Sequence, residues 1–88
     1  MKLIAWNENG REVSVDVFFS NKKDFSCDEK LTNQTTRFLK VLMRHANDVE
    51  TVADKVSDGY CFYVTGVRHT YTVFFRVTEE AVILTKLR

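Results

Sequence analysis

Five basic side chains, Arg68, His69, Arg76, Lys86 and Arg88, are threaded through an otherwise apolar and aromatic stretch, GYCFYVTGVRHTYTVFFRVTEEAVILTKLR (residues 59–88). Arginine offers a planar fork of donors that matches phosphate or carboxylate. Aromatic rings beside it can stack bases or anchor a protein partner. Strand alternation puts Arg76, Phe74, Thr72 and Thr70 on one side. Lys86 and Arg88 are expected near the opposite side at the sheet edge, with Arg68 and His69 at a hairpin tip. The competing reading is an ordinary solvated sheet face, in which threonines and arginines coat the side turned away from the core.

Other chemistry-bearing residues are sparse. A histidine acting as general base must be oriented within hydrogen-bond reach of the proton it takes. His69 beside Arg68 is the better candidate, because the guanidinium supplies a second anion contact; His45 falls in an apolar helical stripe. Cys27 and Cys61 are far apart, with no CxxC and no Cys–His spacing suited to a nucleophile or a zinc site. Both read as reduced thiols, Cys61 as a core one. No catalytic residue, metal ligand or cofactor motif is identified, and the expectation leans away from an enzyme.

The totals suit one domain over residues 1–88: 44% of residues are apolar and 28% charged, with a net charge of +1. A strongly basic chain would point to nucleic acid and a strongly acidic one to its mimic; only local clustering leaves either open here. The opening MKLIAWNENGREV has no apolar run of signal-peptide length, and nothing approaches the roughly 20 apolar residues of a membrane span. A cytoplasmic protein with no membrane partner is therefore expected.

The elements that must position these residues read as follows. Val13, Val15, Val17 and Phe19 alternate with Ser14 and Asp16, the period of a half-buried strand. Asn9-Gly10 predicts a type I′ hairpin turn, which would set Trp6 opposite Val13 and Ile4 opposite Val15. SCDE at 26–29 has the form of a capping box. Beyond it Leu31, Phe38, Leu42, Val49, Val52 and Val56 keep helical spacing. That stripe fits one helix over about 27–57, or two broken at Asn47-Asp48. With Thr35 and His45 the same positions also trace a heptad, Thr35, Leu42, Val49 and Val56 on one seam and Leu31, Phe38, His45 and Val52 on the other. A coiled-coil homodimer is therefore an alternative to packing on a sheet. Gly59 ends the helix, and strands follow at 60–65, 69–77 and 81–87. With Glu79-Glu80 as a turn, Val77 faces Val82 and Phe75 faces Leu84. The expected fold class is α+β: an antiparallel sheet in the order ββα(α)βββ, with one long or two short helices packed on one face.

The stretch TVFFRVTEEAVIL (72–84), with the strands before it and the opening MKLIAW, resembles the RelE/ParE superfamily, the YoeB-like ribosome-dependent RNases of toxin–antitoxin pairs. The resemblance implies an RNA or ribosome partner contacted by Arg68 or His69, Arg76 and Lys86. Where that family places an arginine on the first of these strands, this chain has Phe62 and Tyr63, so the resemblance implies RNA contact rather than a complete catalytic set.

The leading functional expectation is a small cytoplasmic protein-binding regulatory module. Short proline-free domains of this kind are common among phage and mobile-element inhibitors of host proteins. Its contacts with a partner protein or RNA would come from Arg68, His69, Tyr71, Arg76, Lys86 and Arg88. The alternative is a RelE/YoeB-like RNA-binding protein or endoribonuclease.

Overall fold

A computed structural model describes residues 1–88 as an α+β fold, with a six-stranded sheet and two helices. The elements are β1 (Lys2–Trp6), β2 (Glu12–Val13), α1 (Val15–Ser20), α2 (Glu29–Arg44), β3 (Asp54–Val56), β4 (Gly59–Thr65), β5 (Thr70–Val77) and β6 (Ala81–Leu87). A single 3₁₀ turn, Val49–Thr51, separates α2 from β3. The sheet runs in the order β2-β1-β6-β5-β4-β3. It is mixed rather than antiparallel: β1 lies parallel to β6, with Lys2 opposite Ala81 and Ala5 opposite Leu84. The expected order also lacked a strand after the helices, since β3 forms where a helical end was expected. No helix is long and apolar enough to cross a membrane.

The first hairpin is shorter than expected and slipped by one residue. Asn7 Oδ1 accepts the Asn9 and Arg11 amides at 2.9 and 3.0 Å, and Gly10 takes φ +74°. No other residue type has positive φ, so the type I′ turn, which needs it at Asn9 as well, does not form. The loop is instead Glu8–Gly10, which sets Ala5 opposite Val13 and Trp6 opposite Glu12. The strand then stops because Ser14 caps a helix, its Oγ accepting the Val17 amide at 3.1 Å. In that helix Val15, Phe18 and Phe19 share a face. Phe19 is buried as the alternation expected, but Phe18 is buried and Val17 exposed, the reverse of it.

The cap of α2 is Asp28 rather than Ser26: Asp28 Oδ1 accepts the Leu31 amide at 3.0 Å. The helix ends at Arg44, and the chain does break near Asn47, into a turn, a 3₁₀ turn and a strand rather than a second helix. Leu31, Thr35, Leu42 and Val49 of the heptad pattern are buried, and Phe38 stacks on Phe62 at 4.1 Å. That seam is engaged with the sheet, so a coiled coil through it would require opening the core.

The last three strands agree with their pattern. Val77 pairs with Val82 and Phe75 with Leu84 around a Glu79-Glu80 turn. Tyr71, Val73 and Phe75 point into the core, while Thr70 and Arg76 are exposed. Gly59 opens β4 at φ +146°, where an added Cβ would sit 2.4 Å from the Phe75 carbonyl oxygen; only glycine fits. Burying a side chain such as Phe75, 1% exposed, stabilises the fold by about 1.5–3 kcal/mol.

Candidate functional site

Register divides the sheet into two unlike faces. Ala5, Phe62, Val64, Tyr71, Val73, Phe75, Val82 and Leu84 form one buried cluster with Phe18, Phe19, Phe25, Leu31, Leu42 and Val49 from the helices and loops. The other face carries no helix. On it, by pairing, lie Lys2, Ile4 and Trp6 of β1, Ala81 and Ile83 of β6, Thr72, Phe74 and Arg76 of β5, and Cys61 and Tyr63 of β4. Ile83 is only 6% exposed there, flanked in register by Ile4 and Arg76. Tyr63 by contrast is 55% exposed.

A bulge recruits two further cations to this face. Between Phe75↔Leu84 and Phe74↔Lys86 the register shifts by one, with Thr85 as the extra residue. Unbroken alternation would have sent Lys86 to the core side with Leu84; the bulge reverses its parity. Thr85 donates its hydroxyl proton to the Phe74 carbonyl at 3.3 Å. Arg88 continues on the outer face, exchanging amide bonds with Thr72 at 2.8 and 2.9 Å. Lys86 and Arg88 therefore stand beside Arg76 and Phe74, not on the opposite side as expected.

Two guanidiniums rest on rings here. Arg76 Cζ lies 5.9 Å from the Trp6 ring centroid, and Arg88 Cζ lies 6.0 Å from that of Phe74. Such contacts hold the planar groups in place while leaving edge N–H donors for a ligand. The two charge pairs within 4.0 Å in this protein both involve histidines, so Arg76, Lys86 and Arg88 have no intramolecular carboxylate at that distance. They border a depression of about 420 Å3 that reaches the β3–β4 turn, with Asp58 as its only carboxylate.

Arg68, His69 and Tyr71 belong to a second place. There the β4–β5 loop meets the start of α2 around a depression of about 410 Å3 that also touches Asp24 and Cys27. Asp28 ties the two elements: Oδ1 caps Leu31, and Oδ2 accepts the Val67 amide at 2.8 Å. The Val67 and Leu31 amides, in that order, hold the Asp28 carboxyl below its usual 3.8. An added Cβ at Gly66 would meet Asp28 Oδ2 at 2.3 Å, so the loop approaches closely because residue 66 has no side chain. His69 Nε2 is 3.4 Å from Asp24 Oδ2. Tyr71 is 9% exposed, with its ring against Phe25, and burial raises its phenol above 10.0. His45 caps α2 at its end, 3.3 Å from Asp48. Cys61 is buried and Cys27 exposed, both as free thiols.

The six expected contact residues thus split into two groups of three. Sequence reasoning missed Trp6 and Tyr63 as surface aromatics. Trp6 was paired with Val13 on a core face, and the one-residue slip turned it outward. Tyr63 lay in a run apolar enough to read as buried on both sides, although its parity with Thr65 was the available signal. No family model, curated protein or solved structure matches this chain.

Proposed function

We propose that this protein is a small protein-binding regulatory module that docks its partner on the helix-free face of the sheet. The supporting observation is the pairing of half-exposed aromatics with arginines held on their rings, Arg76 on Trp6 and Arg88 on Phe74. Aromatic residues and arginine dominate binding hot spots, because they bring large contact area and directed donors at low ordering cost. A surface built for stacking bases presents open ring faces. Here two of the rings are covered by the protein's own guanidiniums, which favours a protein ligand. Inhibition of a host protein in the cytoplasm, by a phage- or mobile-element-encoded factor, is the specific form of this proposal.

A second reading, an RNA-binding protein or RelE/YoeB-like endoribonuclease, draws on the cations Lys2, Arg76, Lys86 and Arg88 and the open Tyr63 ring on one face. Affinity capture of the tagged protein, with and without RNase, separates the two. One protein recovered under both conditions, and lost with Tyr63→Ala or Trp6→Ala at unchanged melting temperature, supports the module. Ribosomal proteins that vanish with RNase overturn it in favour of RNA.

A further inference from the structure

We infer that the outer face receives an extended acidic segment whose carboxylates occupy alternate positions. This rests on the protein-binding proposal and narrows it to a partner chemistry.

The inference starts from the levels of the sheet. Arg76 lies across from Ile83, Phe74 from Lys86, and Thr72 from Arg88. Successive levels on one face are two residues apart, about 7 Å at a strand's rise. With the bulge, the backbone carries one basic residue at each of three consecutive levels, Arg76 on β5 and then Lys86 and Arg88 at the end of β6. Side chains at i, i+2 and i+4 of an extended chain repeat at the same interval of about 7 Å. A peptide lying along these strands would meet one cation with every second residue.

Three further observations favour carboxylates as the matching groups. None of the three cations has a carboxylate within 4.0 Å in its own chain. Both arginines are held on aromatic rings, so their ordering cost precedes binding. Their free edges suit the bidentate geometry of a carboxylate. Asp58, at the rim of the same depression, opposes an acidic ligand.

Trp6 is the chain's only tryptophan and lies under Arg76, so its fluorescence reports the site directly. Three peptides of one length would be titrated into the purified protein. One carries three glutamates at alternate positions, one the same residues with the glutamates contiguous, and one glutamines in their place. A single-stranded oligouridylate of matched charge is the fourth ligand. The alternate-glutamate peptide is expected to shift Trp6 emission saturably. The contiguous form should bind several-fold more weakly and the glutamine form not at all. Arg88→Gln should weaken binding by about tenfold, as for a lost charge-assisted bond. Lys40→Gln, on the exposed side of α2, should change nothing, and Asp58→Asn should tighten binding. Because Arg76 also supports Trp6, Arg76→Gln would be read by amide chemical shifts in a protein shown to keep its melting temperature.

Equal binding of alternate and contiguous peptides, tighter binding of the oligouridylate, or indifference to Arg88→Gln would each overturn the inference. A partner captured through Trp6 and Tyr63 but indifferent to Arg88→Gln would sink the acidic segment while leaving protein docking intact. A partner indifferent to Trp6 and Tyr63 would sink docking itself.

Discussion

At the loop end of the sheet, His69 stands 3.4 Å from Asp24, and Asp28 directs both carboxylate oxygens to backbone amides. On the helix-free face, Arg76, Lys86 and Arg88 have no such partners within 4.0 Å. The same sequence segment supplies the basic residues of both regions. In the first, a carboxylate is spent on backbone amides of its own chain and ties a loop to a helix. In the second, two of the three cations lie against aromatic rings and all three are left unneutralised. A charged group already satisfied by its own fold is structural by default, whereas an ordered cation without a counterion is available to a partner.

Glycine substitutions test the structural half of this contrast most severely. Gly59→Ala would force a side chain against the Phe75 carbonyl at a backbone angle that L residues avoid. It should cost about 3 kcal/mol or more by denaturant unfolding. Gly66→Ala meets a side-chain oxygen, which can swing away at the loss of the Val67 bond, so its midpoint should fall less. If Gly66→Ala proves the more damaging, Asp28 is the harder obstacle and the loop the more rigid region.

Reversing charge on the outer face should do the opposite. Arg76→Glu with Arg88→Glu is expected to weaken partner binding by more than about tenfold, with a melting temperature near that of the unaltered protein. A matching loss of stability would show that these arginines serve the fold.

Asp28→Asn separates charge from cap, since asparagine also caps helices well. The Asp28 carboxyl is depressed below 3.8, so its stabilising effect is complete above the unfolded value and is lost as pH falls through the folded one. The variant should be less stable at neutral pH and lose less stability on acidification below about pH 4. An unchanged acid limb in urea titrations would remove the Val67 amide as a meaningful partner.

The smallest effect belongs to His69. Its contact with Asp24 joins two side chains that are each 58% exposed. His69→Ala should change stability by no more than about 0.5 kcal/mol, and it should leave partner binding as it was. A large loss of binding would make the loop region the functional one and reverse the comparison.

What the sequence revealed depended on distance along the chain. The β5–β6 pairing was legible because a turn at Glu79-Glu80 leaves little choice of register, and the apolar residues agree with it. Val13 to Phe19 misled because alternation over seven residues also contains a helical i, i+3, i+4 set, Val15, Phe18 and Phe19. There the Ser14 cap decided between the two. The parallel partnership of β1 with β6 left no local mark, since it depends on which strand edge remains open after the rest has packed. For the candidate site, Arg76 and Phe74 could be placed together from alternation alone. Lys86 and Arg88 could not, because one extra residue, Thr85, reverses every side chain after it.

The position of β6 between β1 and β5 also has a consequence for biosynthesis. The parallel partner of β1 lies far along the chain: Lys2 pairs with Ala81, 79 residues later. At 5–20 residues per second, translation separates the two by about 4–16 s. During that interval only Ala5 and Trp6 have a paired strand, the two-residue β2, while Leu3 and Ile4 have none. The apolar edge of β1 stays unpaired until β6 arrives, so closure of the sheet waits on a strand made much later than its partner.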